Sequence, residues 1–254
     1  MIRKALITAL AVALCMPGMA AKKKTGKKAQ FPVAVTELKT ERMTDPMSID
    51  TPAPRLGWVI TSDKQDVMQT SYRIIVASTK EKADNLTGDL WDATVESDQS
   101  QWIRYAGKEL RSNTPCYWRV KVNTTQGESD WSETAMWNVG LLNESDWSGQ
   151  WIGLDKAMPW DIEDVHSQLS SRYLRTEFKV EKEVERATLY ISGLGMYEAY
   201  INGKKVGDQV LAPAPTDYRK TVLYNAFDVT SMLAADNACD ESPCSYVLGL
   251  IKVR

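Results

Sequence analysis

Three carboxylates close together in this chain of 254 residues could bind a metal ion. Asp161, Glu163 and Asp164 form the best local carboxylate cluster, and hard oxygen ligands of this type suit calcium. The other interpretation is a charged surface loop, which we favour because no further ligand pattern in the sequence supports a cage. We therefore predict that the chain binds no metal ion and no other cofactor. These three residues are the candidate ligands for the alternative, a calcium site.

A second group of residues could bind carbohydrate. Tyrosine rings stack on pyranose rings, while Asp, Asn and Arg side chains hydrogen-bond to sugar hydroxyl groups. The candidates are Tyr200, Asn202, Asp217, Tyr218 and Arg219. Strand alternation turns Tyr197 to the opposite face from Tyr200, so these two rings are not expected to line one groove. A structural role for the loop 217–219, docking against another domain, is an equally open interpretation.

The first thirty residues have the pattern of an export leader followed by a tether. Arg3 and Lys4 precede an apolar stretch that is too short to span a bilayer, and small residues follow it. We predict a signal peptide over residues 1–21 and a Lys-rich linker over residues 22–30. The chain is thus expected to be exported to the periplasm or beyond, with no transmembrane segment.

Composition excludes several kinds of chemistry. His166 is the only histidine, so no Ser-His-Asp arrangement can be built without it, and no His/Cys set has zinc spacing. A net charge of −2 provides no global positive field for nucleic acid. Beyond the leader the cysteines are Cys116, Cys239 and Cys244, an odd number that is not a disulfide framework, although the last two could close a small loop.

Residues 31–142 predict a β-sandwich, because about seven short strand-like segments alternate with turn signals. The clearest segment is 117–122, in which alternate residues beginning with Trp118 share one face while Arg119 and Lys121 face water. We expect the tryptophans of this domain to pack in the core or at strand edges rather than to contact a ligand.

A second β-domain is predicted over residues 172–233. Its most specific local signal is Asn202–Gly203, a hairpin turn between the alternating segment 197–201 and a return strand at 204–208. Residues 143–171 are predicted to be a junction and loop, whose aromatic, turn-rich start could hold the two domains together.

The run from Arg172 to Ser231 resembles the amino-terminal β-domain of bacterial α-L-rhamnosidases, exo-glycosidases that remove terminal rhamnose from glycans. The similar segments are 173–178, 189–198, 199–208 and 216–220. Upstream, the segments 117–122 and 129–133 resemble those of fibronectin type III-like modules. The resemblance implies an all-β fold of two tandem β-sandwiches, the first fibronectin III/Ig-like and the second an incomplete jelly roll similar to galactose-binding modules.

The same resemblance implies that the chemistry lies elsewhere. Family members carry their acid and base carboxylates on a helical (α/α) barrel downstream of these domains, and no segment of this chain matches those motifs. Because glycoside hydrolysis needs two carboxyl groups across the scissile bond, we predict no catalytic residue here. The expected partners are a rhamnose-containing glycan and the missing catalytic barrel.

The tail, residues 234–254, departs from the family pattern. Residues 236–238 match the family pattern. Pro243 cannot lie in a central strand, because proline has no N–H to donate. The segment 246–254 matches no part of the family pattern. We interpret the tail as a reading-frame change or premature end near Ala238. A jelly roll truncated there would leave open sheet edges, so we expect the second domain to be more sensitive to proteases than the first.

Two hypotheses of different classes follow. In the first, the chain is the N-terminal accessory part of an exported α-L-rhamnosidase, which orients substrate or docks domains and is inactive alone. In the second, it is a free-standing secreted carbohydrate-binding or adhesion protein. A third possibility, an independent hydrolase that uses surface carboxylates, has no motif in its favour.

Overall fold

The computed structural model describes residues 32–153, 158, 159, 161, 172–242 and 246–253. The predicted leader and linker, His166 and Cys244 lie outside the described residues. Strands dominate the described part of the chain, and none of its helices is long and apolar enough to cross a membrane. The predicted all-β class is confirmed.

The first domain contains two antiparallel sheets. The strands are β1 Ala34–Thr40, β2 Arg55–Thr61, β3 Gln69–Ala77, β4 Trp91–Glu96, β5 Ile103–Arg104, β6 Pro115–Thr124, β7 Gly127–Glu128 and β8 Ala135–Asn138, with one short helix, α1 Lys80–Asp84. The smaller sheet has the order β1-β2-β5. The larger has the order β4-β3-β6-β7, and β8 also pairs with β6. These sheets make up the predicted first sandwich.

Tryptophan dominates the core of the first domain. Trp58, Trp118 and Trp137 are fully buried, as the core interpretation predicted. The alternation along β6 is also confirmed, because Trp118 is buried whereas Arg119 and Lys121 are only partly covered. Such alternation places every second side chain on the apolar face of a strand.

The second domain pairs two four-stranded antiparallel sheets. The elements are β9 Ile152–Gly153, β10 Leu174–Lys179, β11 Ala187–Gly193, β12 Glu198–Ile201, β13 Lys204–Lys205, β14 Tyr224–Asp228, β15 Asp236–Ser242 and β16 Tyr246–Val253, with 3-10 helices at Glu144–Asp146 and Thr230–Met232. One sheet has the order β10-β15-β12-β13 and the other the order β14-β11-β16-β9. A core cluster draws on both sheets, with Leu189 and Ile191 from β11 meeting Ile201 from β12.

The predicted hairpin is confirmed at its turn. Asn202 and Gly203 have φ angles of 52° and 75°, and the flanking residues Ile201 and Lys204 are partners in the ladder. Two successive positive φ angles define a type I′ turn, whose twist matches that of the flanking strands.

The expectation for the tail is corrected. A jelly roll truncated near Ala238 was expected to leave open sheet edges, but β16 pairs with β11 over seven residues and with β9 on its other side. One edge of β11 is taken by β14, and the other edge needs partners for its peptide groups. An extended backbone supplies them whatever its side chains, so this edge of β11 is covered rather than open. Pro243 lies outside the described residues, between β15 and β16.

Candidate functional site

The predicted sugar ligand Tyr200 lies on the outer face of β12. Its hydroxyl donates to Oε2 of Glu198 at 2.8 Å, and Lys205 lies 2.6 Å from the other oxygen of the same carboxylate. The hydrogen bond from Lys205 holds the pKa of Glu198 below its usual value, and the bond to Glu198 raises the pKa of Tyr200. Tyr197 is buried in the core, so the predicted opposition of the two rings is confirmed.

Asn202 is occupied by structural contacts. Its Oδ1 accepts from the backbone N–H of Ala238 at 2.9 Å, and its Nδ2 donates to Met232 O and Asn237 Oδ1, each at 3.0 Å. These bonds fix the hairpin turn against β15. They therefore provide a structural reason for asparagine at this position beside its turn propensity.

The loop 217–219 is held by its own side chains. Arg219 Nε donates to Asp217 Oδ1 at 3.1 Å, and the Tyr218 hydroxyl accepts from the backbone N–H of Gly195 at 3.0 Å. The bond from Arg219 lowers the pKa of Asp217. Among the described residues, no hydrogen bond joins this loop to Tyr200 or Asn202. The described hydrogen bonds therefore do not join the five predicted sugar ligands into one site, and their role in binding stays a prediction.

Asp161, one of the calcium candidates, forms a buried ion pair. Its Oδ2 lies 2.8 Å from Arg172 Nη2, and the two side chains are 1% and 5% exposed. The other two candidates, Glu163 and Asp164, lie outside the described residues. Within the part of the chain that the structure describes, no three His, Cys, Asp or Glu side chains are placed to hold a metal ion.

The polar contact between the two domains was not predicted from sequence. Arg186, immediately before β11, donates to Asn138 Oδ1 at 2.9 Å and to Asn113 O at 2.8 Å. The buried Tyr190 hydroxyl donates to Asn113 Oδ1 at 3.0 Å and accepts from Asn138 Nδ2 at 3.2 Å. Burial raises the pKa of Tyr190. Each polar group that enters this contact therefore meets a partner, as a buried polar contact requires.

Aromatic rings lie next to this contact. Trp147 meets Tyr190 and Tyr224 edge-to-face, with ring centroids 6.5 and 5.2 Å apart. The Tyr224 hydroxyl donates to Asp50 Oδ1 at 2.6 Å and accepts from the backbone N–H of Leu141 at 3.2 Å. Burial, followed by the bond to Asp50, raises the pKa of Tyr224 to about 12.

A groove of about 630 Å³ runs beside these rings. It is lined by Glu144, Trp147, Gly149, Gln150, Trp151, Ser192, Val222 and Tyr224. Aromatic faces with a few polar groups at their edges are the usual surface for a pyranose ring. Among the described residues that line it, Glu144 is the one carboxylate, whereas glycoside hydrolysis uses two. The described lining therefore has the features of a surface that binds a sugar ring.

Comparisons with known proteins assign both domains. Residues 35–143 match the family described as "Rha78A-like, N-terminal immunoglobulin domain", and residues 182–240 match the family described as "Alpha-L-rhamnosidase N-terminal domain". Both matched regions are similar to N-terminal domains of α-L-rhamnosidases. The predicted resemblance is thus confirmed for both halves of the described chain.

Proteins much longer than this chain contain a region similar to it. An α-L-rhamnosidase of Formosa agariphila is 36% identical over 212 residues, which are 77% of this chain and 22% of the relative. Solved α-L-rhamnosidase structures from Dictyoglumus thermophilum and Aspergillus terreus superpose with TM-scores of 0.78 and 0.77, at 30% and 25% identity. Each superposition covers 87% of this chain and 27% of the solved chain. The chain thus spans about a quarter or less of the rhamnosidases it matches.

Proposed function

We propose that this chain is the N-terminal accessory region of an exported α-L-rhamnosidase that hydrolyses terminal rhamnose from glycans. In this proposal the two sandwiches orient substrate and dock against a catalytic domain, and they have no hydrolytic activity alone. The relatives support it, because they are α-L-rhamnosidases several times longer than the matched region. The leader predicted over residues 1–21 supports the export part of the proposal.

An exposed apolar surface on the second domain is the observation that carries the docking part. Met196, Val210, Leu211 and Tyr218, here called the loop patch, are 48%, 75%, 71% and 39% exposed. They are neighbours, because Tyr197 N–H bonds to Ala212 O and Gly195 N–H bonds to the Tyr218 hydroxyl, on either side of Met196. Clustered exposed apolar side chains mark protein contact surfaces.

The groove beside Trp147 and Trp151 supports the substrate-orienting part. Trp151 is 44% exposed and lines this groove together with Gln150 and Glu144, whose polar atoms suit sugar hydroxyl groups. We propose that this groove contacts the glycan, with the predicted ligands Tyr200 and 217–219 as further candidates.

A chimera tests the docking role. The matched N-terminal region of the Formosa agariphila relative is replaced by this chain, and hydrolysis of a chromogenic rhamnoside is measured. We expect an active chimera, and we expect Leu211→Asp to lower its activity and thermal stability, because a charge would be buried in the docked surface. Met68→Asp, which alters a 62% exposed side chain on the first domain, is the matched control.

The chain alone provides the second readout. Purified chain is expected to leave the chromogenic rhamnoside intact, and turnover that survives repurification would refute the accessory role. Glycan-array binding by the chain, together with a chimera that is indifferent to Leu211→Asp, would instead support the free-standing carbohydrate-binding protein.

A further inference from the structure

A pocket on the first domain, far along the chain from the rhamnosidase-like loops, combines a strained backbone with clustered cations. Thr40 and Met43 exchange two backbone hydrogen bonds of 2.9 Å and enclose a two-residue turn. Its central residues, Glu41 and Arg42, have φ angles of 48° and 68°. Such turns favour Asn and Gly, because other side chains strain the left-handed region. Glu41 and Arg42 therefore adopt this turn at a cost in backbone free energy.

A positive φ angle also occurs at Trp102, whose ring contacts Arg42 of this turn. Trp102 has a φ of 64°, and its ring is 46% exposed. The guanidinium carbons of Arg42 and Arg55 lie 4.4 and 4.6 Å from the centroid of this ring. Two cations held against one ring repel each other, and the attraction of each to the ring offsets part of that repulsion. Strained non-glycine residues that converge on one spot are typical of functional sites.

The charges of the pocket are not balanced. Glu41 accepts from Arg55 through both carboxylate oxygens, with Nε 3.0 Å from Oε2 and 3.2 Å from Oε1, and this bond lowers the pKa of Glu41. Arg42 makes no side-chain hydrogen bond or ion pair with any of the described residues. Lys39, whose ammonium donates to Thr44, adds a further cation to the lining. One guanidinium therefore presents its donors to the pocket without an acceptor.

We propose that this pocket binds the carboxylate or sulfate group of an acidic sugar. Arg42 donates paired hydrogen bonds to the anion, a geometry that the planar guanidinium supplies. The exposed part of the Trp102 ring contacts the apolar face of the sugar. The pocket encloses about 170 Å³, which has room for one charged group rather than an oligosaccharide. The choice of a sugar as carrier of the anion rests on the proposed function, whereas the anion site itself does not.

Binding of defined polysaccharides to the purified chain tests the proposal. The probes are polygalacturonate for the carboxylate, dextran sulfate for the sulfate and unmodified dextran as the neutral control, measured by isothermal titration at low and moderate salt. We expect one or both acidic polymers to bind, dextran not to bind, and salt to weaken the affinity. Arg42→Gly is expected to weaken binding about ten-fold or more, since a charge-assisted hydrogen bond is lost.

Two matched variants separate the pocket from general charge effects. Arg42→Gly suits the positive φ, so the turn is retained. Arg73→Ala removes another arginine of the same domain, one that lies 5.6 Å from the Trp131 centroid and is paired with Asp92. Arg73→Ala should bind like the parent chain. Trp102→Ala should bind as weakly as Arg42→Gly.

Each outcome decides the proposal. Binding of only one acidic polymer identifies the anion and supports it. Absence of binding to both polymers, equal losses in Arg42→Gly and Arg73→Ala, or unchanged binding by Arg42→Gly would overturn it. A chimera that responds to Leu211→Asp, combined with a chain that binds no acidic polymer, would sink this inference and leave the accessory role standing.

Discussion

Arg186 reaches from the second domain to Asn113 of the first, with its Nη2 2.8 Å from the carbonyl oxygen and 3.0 Å from Oδ1. Asn113 itself has a φ of 58°, a conformation that asparagine tolerates better than most residues. One guanidinium thus binds both the main chain and the side chain of a specialised turn. Together with Tyr190, it makes the contact between the sandwiches specific rather than a loose apposition.

Loss of that guanidinium should destabilise the described fold. We expect Arg186→Met to lower the free energy of unfolding by about 2 kcal/mol, because charged hydrogen bonds to Asn113 and Asn138 are lost while the aliphatic stem is retained. Urea denaturation followed by tryptophan fluorescence measures the change. Arg175→Met is the control, since the Arg175 side chain is 55% exposed and its surface ion pair should contribute less than about 1 kcal/mol. Equal losses in both variants would contradict the interface role.

Alkaline pH should weaken the fold through Tyr224. Its pKa is raised to about 12 in the folded chain, against the ordinary value of 10.0. The folded state therefore keeps a proton that the unfolded state releases, so stability is fully present below about pH 10 and falls as pH rises towards 12. Urea midpoints measured from pH 8 to pH 11 should fall less in Tyr224→Phe than in the parent chain. A parallel decline in both would show that this hydroxyl does not contribute.

Two glycines with similar φ angles should respond differently to alanine. At Gly203, with φ of 75°, no heavy atom lies within 4 Å of an added Cβ, so the cost is that of the backbone alone, about 1 kcal/mol. At Gly207, with φ of 71°, the added Cβ would lie 2.5 Å from Phe227 Cε1. We expect Gly207→Ala to cost at least about 2 kcal/mol, since overpacking adds to the backbone strain. Thermal denaturation ranks the two, and a larger loss at Gly203 would be inconsistent with the described packing.

Removal of β16 should unfold the second domain selectively. β16 lies between β11 and β9, so a chain ending at Ser242 leaves one edge of β11 without a partner. We expect limited proteolysis to digest the second domain of the shortened chain and to leave the first domain intact. The full chain should protect both domains alike, in contrast to the expectation from sequence. Rapid digestion of the second domain in the full chain would show that β16 does not stabilise it.

Features set by neighbouring residues were predictable. The Asn202–Gly203 turn, the alternation along β6 and the burial of Trp118 all follow from periods of two residues or from a dipeptide with positive φ angles. The joining role of the aromatic junction stays a prediction, because the rings that Trp147 meets, Tyr190 and Tyr224, both belong to the second domain. Strand ends were less accurate, as with β13, which covers Lys204–Lys205 instead of the predicted 204–208, because the point at which pairing stops depends on the partner strand.

By itself, the sequence determined the all-β class, the two-sandwich order and the relationship to α-L-rhamnosidases, since these depend on local period, turn chemistry and motif. Only the tertiary structure decided that β16 completes a sheet, that Asn202 is bound to Asn237 and Ala238, and that Arg186 meets residues 48 and 73 positions away. The same is true of Arg42 and Arg55, which meet over the ring of Trp102. Contacts between distant segments are selected by the packing of whole sheets, and that packing has no period along the chain.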